Sequence, residues 1–309
     1  MKRQLATCFL ACGLNVAGAQ SLTNFADEFL HARAEGVSTF LFDIDNDSLL
    51  LNRDDGFYTS GVRLGQTYTL RRSGSVAMMG WRIGQELYTP SDIKLLPSQI
   101  APEDHPYAGW LYGGIFKETH GIDGTHAIFG LDLGCLGPCA GGEGSQKALH
   151  RLINQPEPRG WSTQVGNEFG VVLHADVAPL RWALSERVDL TPTVGGRFGN
   201  IHTDVNVGLK LRAGRLNLLP GDATLHGFVR VNARAVAYDA TLQGGYFSDD
   251  GPRTVQPQRL VGEAEAGVAW QYENYGLHAS VVRRGNEIRD LPESTGAQSF
   301  VRLQFIYTP

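Results

Sequence analysis

The chain has 309 residues, a formal charge of −5 at pH 7 and 19% charged residues. Net acidity without a basic block argues against a nucleic-acid partner, so none is expected. Beyond the N-terminal segment, no stretch reaches the roughly 18 uninterrupted apolar residues that a transmembrane helix needs, which excludes helical membrane spans.

The N-terminus has the three parts of a secretory signal peptide. A basic start, Met-Lys-Arg at residues 1–3, precedes a mostly apolar run over residues 5–16. Ala-Gly-Ala at residues 17–19 then offers a cleavage site of the A-x-A type. The alternative is an ordinary N-terminal helix of a cytoplasmic protein. We predict a signal peptide over residues 1–19 and a mature domain over residues 20–309.

The mature chain alternates apolar and polar residues with a period of two. Val205, Val207 and Leu209 share one face of an extended segment. Asn206 and Lys210 share the other face, as expected of a β-strand. About twelve such segments are predicted. They are roughly residues 37–45, 57–70, 78–88, 107–119, 124–134, 166–176, 189–198, 202–212, 224–239, 258–272, 275–288 and 296–307.

Alternation alone fits both a soluble sandwich and a membrane barrel. The strands are long, about 10–14 residues, which suits a tilted crossing of the bilayer. Aromatic residues cluster near strand ends, as interfacial girdles do. These include Trp81, Tyr88, Tyr107, Trp110, Tyr112, Tyr238, Tyr275 and Tyr307. The predicted fold is therefore all-β, a transmembrane antiparallel up-and-down β-barrel of about 12 strands with a short helix in an extracellular loop.

The connections between predicted strands alternate in length. Those after strands one, three, five and nine are long or rich in turn residues, whereas Glu273-Asn274 is tight. With the N-terminus in the periplasm, loops 46–56, 89–106 and 135–165 fall at the outer rim. The charged lumen-facing residues suit either a wet channel or a cross-linked interior, and the sequence leaves both open.

The loop over residues 135–165 contains the predicted helix. Ser145 is expected to cap a helix over residues 146–154, which Pro156 then ends. Gln146 and His150 share one face because they are four residues apart. Leu149, Leu152 and Ile153 share another face.

The same loop begins with two cysteines that remain after signal cleavage. Cys135 and Cys139 are separated by three residues, whereas Cys8 and Cys12 leave with the signal peptide. In an oxidising compartment the remaining pair could form a small loop-closing disulfide. Zinc binding is the weaker alternative, because two thiols without a second pair make a poor zinc set.

Four polar residues are expected to meet at the outer rim. Asn46 and Asp47 end the first strand, and Thr59 begins the second. Because successive strands cross the membrane in opposite directions, these three residues lie at the same rim as His150. A base, a carboxylate, an amide and a hydroxyl are the groups that a hydrolytic site needs. The structural alternatives are a solvated histidine and a hairpin turn at residues 45–47.

The chemistry of this group favours direct activation of water. The chain has no G-x-S-x-G motif, so a hydrolase of the serine type is unsupported. His150 is suited to take a proton near neutral pH. Asp47 is the best candidate ligand for a hard cation that would polarise an ester carbonyl, and Asn46 could assist.

These residues belong to a set of short motifs that resembles a known family. The motifs are Asn46-Asp47-Ser48, Tyr58-Thr59-Ser60-Gly61, Tyr88-Thr89-Pro90, Pro106-Tyr107-Ala108-Gly109-Trp110-Leu111-Tyr112, Gly137-Pro138 with Gln146 and His150, and Gly160-Trp161 with Gln164 and Asn167-Glu168. Because the motifs occur in this order and at these intervals, the chain resembles the outer-membrane lipid A 3′-O-deacylase (LpxR-like) family over nearly its whole mature length.

The resemblance implies a calcium-dependent carboxylic ester hydrolase of the bacterial outer membrane. It would remove the 3′-acyloxyacyl group of lipid A with a phospholipase-A2-like mechanism, and we expect it to act as a monomer on lipopolysaccharide. His150 would activate water, and Asn46 and Asp47 would hold Ca²⁺ beside the developing oxyanion. Thr59 would support the site. Gln146 and Glu157 would contact the substrate or support these residues.

The sequence also departs from the family pattern. The family's usual Arg before Pro-Tyr-Ala-Gly-Trp is His105. Some members have a glutamate shortly after the catalytic histidine, where this chain reads Asn154-Gln155-Pro156-Glu157, and the sequence leaves open whether Glu157 takes its place. The chain ends in Thr308-Pro309 instead of an aromatic residue. Two alternatives to the deacylase are a non-enzymatic channel or structural barrel and a barrel phospholipase, which would need a serine nucleophile.

Overall fold

A computed structural model describes residues 17–50, 56–248 and 251–309. The predicted signal peptide falls almost wholly outside these residues, so its assignment stays a prediction. Thirteen strands make up the sheet. They are β1 (Val37–Asn46), β2 (Phe57–Arg72), β3 (Ser75–Thr89), β4 (Ala108–Gly121), β5 (His126–Leu136), β6 (Glu168–Ala178), β7 (Trp182–Ser185), β8 (Val188–Gly199), β9 (His202–Arg215), β10 (Thr224–Asp239), β11 (Leu260–Tyr272), β12 (Tyr275–Arg284) and β13 (Gln298–Tyr307).

The strands close into an antiparallel barrel. Neighbours in sequence pair with each other, and β1 closes the sheet by pairing with β13. β7 is a short extra strand that pairs only with β8, while β6 pairs directly with β8. The closed wall therefore has the twelve predicted strands. β7 was not predicted because four residues carry too little alternation to be recognised.

Connections at the two ends of the barrel differ in length, as predicted. One end, called here the long-loop end, carries residues 47–56, 90–107, 137–167, 240–259 and 285–297. The other, the short-turn end, carries tight connections such as residues 73–74, 122–125 and 273–274. Up-and-down strands of this length with one looped rim are typical of outer-membrane barrels.

The outer wall is apolar. Phe42, Leu64 and Ile83 face one another across β1, β2 and β3, and Leu64 and Ile83 are 51% and 53% exposed. Their alternating neighbours point inward. This arrangement matches a lipid-facing wall around a polar interior, and closure of the sheet leaves the strands without an open edge in the membrane.

Charged side chains fill the described lumen and pair with one another. The Asp45 carboxylate accepts hydrogen bonds from Arg63 at 3.1 Å and from Arg302 at 3.1 Å. A polar cavity of about 120 Å³ lies beside this network, with Tyr58 and His105 among its lining residues. An apolar cluster covers the long-loop end and comprises Phe57, Leu242, Val255, Ile288 and Leu291. These contacts favour a cross-linked interior over a wide channel.

Four helices accompany the barrel in the described residues: α1 (Ala17–Glu35), α2 (Gly142–Leu152), α3 (Ala240–Gln243) and α4 (Glu293–Gly296). None of these is both long enough and apolar enough to cross a bilayer. The sequence did not predict α1. Phe25 and Phe29 of α1 pack with Tyr68 and Met79. Those partners lie on the lipid-facing side near the short-turn end, so α1 covers part of the wall.

Candidate functional site

The candidate site begins with a row of residues across the wall near the long-loop end. Asn46 pairs with Ser60, Ser60 pairs with Leu87, and Leu87 pairs with Gly109. Asn46 lies on the same face as Phe42, because the two residues are an even number apart in β1. The row therefore faces the lipid side of the wall and not the lumen.

Thr59 joins this face through an irregularity in β2. The pairing of β2 with β3 shifts between Tyr58 and Ser60, which leaves Thr59 as the extra residue of a β-bulge. The Thr59 Oγ1 atom lies 2.6 Å from Thr89 Oγ1, and both side chains are buried. The bulge thus lets Tyr58 point into the lumen while the hydroxyl of Thr59 lies on the outer wall and contacts Thr89.

Asp47 lies in the loop that follows β1. Its Oδ2 atom accepts a hydrogen bond from the Gly56 backbone N–H at 3.0 Å, and its Oδ1 atom accepts one from the Ser48 hydroxyl at 3.3 Å. The carboxylate is 5% exposed. Asp47 therefore closes the loop, as the turn alternative required, and it also brings a negative charge next to Asn46.

The helix of the long loop begins earlier than predicted. α2 starts at Gly142 after Gly141, whose φ of 68° is a left-handed conformation that favours glycine. Ser145 is not the N-cap; it lies inside the first turn, where its hydroxyl donates to the Gly141 carbonyl. A side chain at Gly142 would collide with Trp161 and Leu87, so glycine allows α2 to pack directly on β3.

The faces of α2 are inverted relative to a helix of a soluble protein. Its polar residues Gln146 and His150 are buried against the barrel. Its apolar residues point away, with Leu149 42% and Leu152 83% exposed, and Ile153 directly after the helix is 50% exposed. Such an arrangement is stable where the surroundings are lipid, because exposed apolar side chains then remain out of water.

A backbone carbonyl orients the His150 ring. The Nδ1 atom lies 2.6 Å from the Pro156 carbonyl oxygen. Because a carbonyl oxygen only accepts hydrogen bonds, Nδ1 carries the proton and Nε2 is the basic nitrogen of the neutral ring. Pro156 was predicted only as the residue that ends the helix. No sequence signal identified it as the partner of the imidazole.

Gln146 attaches α2 to an apolar cluster. Its Oε1 atom accepts a hydrogen bond from Trp161 Nε1 at 2.8 Å, and both side chains are buried. Trp161 packs on Tyr107 with ring centroids 4.9 Å apart. Leu87 and Ile100 complete the cluster. Gln146 therefore fixes the position of the helix, and Trp161 and Tyr107 contribute through packing that the sequence motifs did not explain.

Glu157 lies on the exposed side of this loop. Its side chain is 44% exposed, and its carboxylate is 3.9 Å from the Arg151 guanidinium. The ion pair is a surface contact and contributes little to stability. The role predicted for Glu157 stays a prediction.

His105 occupies the position where the family usually has arginine. It is buried at the long-loop end, where its ring stacks on Tyr88 with centroids 5.6 Å apart. Its Nδ1 atom lies 2.6 Å from the Pro106 carbonyl oxygen. Burial lowers the pKa of His105 below its usual value, so a neutral ring replaces a permanent charge here.

The cysteines of the long loop are joined. Cys135 at the end of β5 and Cys139 form a disulfide with a Cα–Cα distance of 5.9 Å. The Cys139 backbone N–H donates to the Asn167 side chain at 2.8 Å. The bond closes a small ring at the start of the loop that carries α2, and the zinc alternative is not needed.

Fold and site together define an outer-membrane β-barrel with buried polar groups between its lipid-facing wall and a surface helix. The description "Outer membrane protein LpxR" belongs to the family model that matches residues 5–308. The chain belongs to this LpxR family of outer-membrane proteins. Membership supports lipid A modification as its general function.

A solved LpxR structure shares the fold. LpxR from Salmonella typhimurium superposes with a TM-score of 0.74 at 22% identity, covering 88% of this chain and 100% of that chain. The β domain of the Bordetella autotransporter BrkA has a TM-score of 0.48 at 13% identity, with 88% and 98% covered. No curated protein sequence matches the chain significantly.

Proposed function

We propose that the chain hydrolyses the 3′-acyloxyacyl ester of lipid A in the outer leaflet, with His150 as the base that activates water. The observation that carries the proposal is a buried histidine, oriented by a backbone carbonyl, on a helix docked against the lipid-facing wall. A lipid substrate would reach this place from the membrane without entering the lumen.

The proposed chemistry assigns a separate task to each side chain. Nε2 of His150 takes a proton from water while the Pro156 carbonyl holds the protonated Nδ1. Gln146 keeps the helix in place through Trp161. Exposed Leu149, Leu152 and Ile153 face the acyl chains of the surrounding leaflet. No covalent intermediate with the protein is needed, because the water oxygen attacks the ester carbonyl carbon directly. The ester C–O bond then breaks, the fatty acid leaves, and the proton on Nε2 passes to the departing alkoxide oxygen.

Three residues of the same rim also fit calcium as a donor set. The Asp47 carboxylate and the Asn46 amide oxygen would offer the oxygen ligands that Ca²⁺ prefers, and Thr59 would support them from the bulge. The Asn46 Nδ2 atom donates to the Thr59 carbonyl at 3.4 Å, so the amide oxygen would be the ligand atom. When bound, Ca²⁺ would supply positive charge beside the ester carbonyl.

The central test is a mass spectrum of lipid A from cells that express each form of the protein. His150→Ala should reduce deacylation about a hundredfold or more, because a general base contributes that much. Arg151→Ala is the matched control, since Arg151 is its exposed neighbour on α2. Heat-modified mobility in gels should show both variants folded. Unchanged deacylation in His150→Ala would reject the mechanism.

The role of calcium is tested by chelation of the purified protein in detergent. EDTA should abolish release of the fatty acid, and excess Ca²⁺ should restore it, because the donor set is made of oxygen atoms. Gel mobility should stay that of the folded barrel throughout, since the wall is closed without the ion. Full activity under strict chelation would remove the metal from the mechanism.

A further inference from the structure

Two histidines and a glutamate meet at the opposite end of the barrel from α2. His120 in β4 pairs directly with His126 in β5, and Glu118 lies two residues before His120 in the same strand. The three residues therefore share one face of the β4–β5 hairpin beside its turn. Residues two apart on a strand and opposite each other on its partner are direct neighbours.

This face is the lumen side. Ile115 and Phe129 are exposed on the lipid side, and each is an odd number of residues away from the cluster in its own strand. The cluster is thus inside the barrel at the short-turn end. Its side chains are 20–30% exposed, so a small solute can reach them from that end.

The ligand atoms already converge on one point. Glu118 Oε1 lies 2.7 Å from His120 Nε2 and 2.9 Å from His126 Nε2. The ring centroids of the two histidines are 4.5 Å apart, and all three ligand atoms lie within 4.8 Å of one another. Ligands of a tetrahedral zinc ion are about 3.3 Å apart for bonds near 2.0 Å, so small side-chain shifts would admit an ion.

We propose that Glu118, His120 and His126 bind a divalent transition-metal ion such as Zn²⁺. Two imidazoles and one carboxylate are the ligand set of open zinc sites, in which water takes the fourth position. Asp176 pairs with Ile128, the residue opposite Glu118, and adds negative charge on the lumen side. Imidazole nitrogen distinguishes this site from an oxygen-only calcium site.

The site is separate from the candidate deacylase site. Glu118 is nine residues along β4 from Gly109, which is about 30 Å of extended strand. The ion would instead join β4 to β5 beside their turn. Because it would bind the folded barrel and not the unfolded chain, it would also stabilise this end of the wall.

The test uses the tag-free full chain folded in detergent, with excess Ca²⁺ present to occupy oxygen-ligand sites. Titration with Co²⁺ alone should produce the visible absorption of a tetrahedral site at one equivalent, and Zn²⁺ should displace it. His126→Gln should weaken Co²⁺ binding roughly tenfold or more. His226→Gln is the matched control, since His226 also faces the lumen near the short-turn end.

Two results would overturn the proposal. One is the absence of tetrahedral Co²⁺ absorption in the unmodified chain. The other is equal Co²⁺ binding by His126→Gln and His226→Gln. If His126→Gln does not fold, electron paramagnetic resonance of Cu²⁺ on the unmodified chain decides the question. Coupling to two nitrogen nuclei supports the site, and its absence rejects the site. None of these measurements depends on deacylation.

Discussion

The lumen and the outer wall hold polar side chains of different kinds on the same strands. Asp45 points into the lumen and contacts two arginines, whereas the next residue, Asn46, belongs to the wall. Tyr58 and Thr59 divide in the same way across the bulge. Asp45 in the lumen is paired by charge, while Asn46 and Thr59 lie on the wall, whose β3 and β4 strands carry α2. The difference teaches that the lumen network supports the barrel, whereas the proposed chemistry belongs to residues of the wall.

The largest expected effect is a loss of barrel stability when the lumen network is disrupted. Asp45→Ala should destabilise the barrel by about 3 kcal/mol, because two part-buried arginines lose the carboxylate that they share. Arg63 keeps Glu86 at 3.8 Å and Arg302 keeps Glu265 at 3.6 Å, which limits the loss. Urea unfolding in lipid vesicles measures the loss. The folded fraction should keep its deacylase activity. A stable Asp45→Ala barrel would show that the lumen charges do not support the wall.

A smaller effect is expected from the neighbouring wall residue. Asn46→Ala should lower deacylation about 10- to 100-fold, as the loss of a cation ligand or its support does. Its unfolding midpoint should stay close to that of the unmodified chain. Release of fatty acid from purified lipid A measures the change. Equal activity, or a loss of stability as large as that of Asp45→Ala, would contradict the division between the two faces.

The smallest expected effect concerns His105, which is buried where the loops of the long-loop end meet the lumen. Burial lowers the pKa of His105, so the folded chain resists protonation that the unfolded chain accepts below about pH 6.5. The stability that neutral His105 contributes is complete above that pH and is lost as the pH falls toward the folded pKa. Between pH 6.5 and 5 the loss is at most about 2 kcal/mol.

His105→Phe isolates this contribution, since phenylalanine can still stack on Tyr88 but does not titrate. Urea midpoints of both proteins should be compared at pH 7.5 and pH 5. The unmodified chain should lose more stability than His105→Phe on acidification. A stability difference between the two proteins that does not change with pH would mean that folding leaves the pKa of His105 unchanged, and it would contradict the prediction.

The strands were predictable because their signal is local. Alternation such as Val205, Val207 and Leu209 fixes which face meets lipid, and a closed sheet is required when strands cross a membrane. The short strand β7 and the wall-packed helix α1 were missed. β7 has too few residues to show a period, and the packing of α1 on Tyr68 and Met79 depends on residues far along the chain.

The site was predictable in part. The parity of strand crossings put Asn46, Thr59 and His150 at one rim, and the motifs added Gln146. The start of α2 was wrong because Gly141 can adopt a left-handed conformation and Gly142 fits against Trp161, which no local helix propensity records. The metal-binding cluster at Glu118 was not predicted because its histidines meet only through strand register.

The amino-acid sequence by itself determined the number of wall strands and their lipid-facing sides. It also predicts that the chain is exported toward an outer membrane. These follow from a two-residue period and from composition, which need no distant contacts. The tertiary structure decided that α2 turns its polar face toward the barrel wall, that the Pro156 carbonyl orients His150, and that charged side chains in the lumen pair with one another. Each of these depends on residues brought together by closure of the sheet and by docking of the long loops.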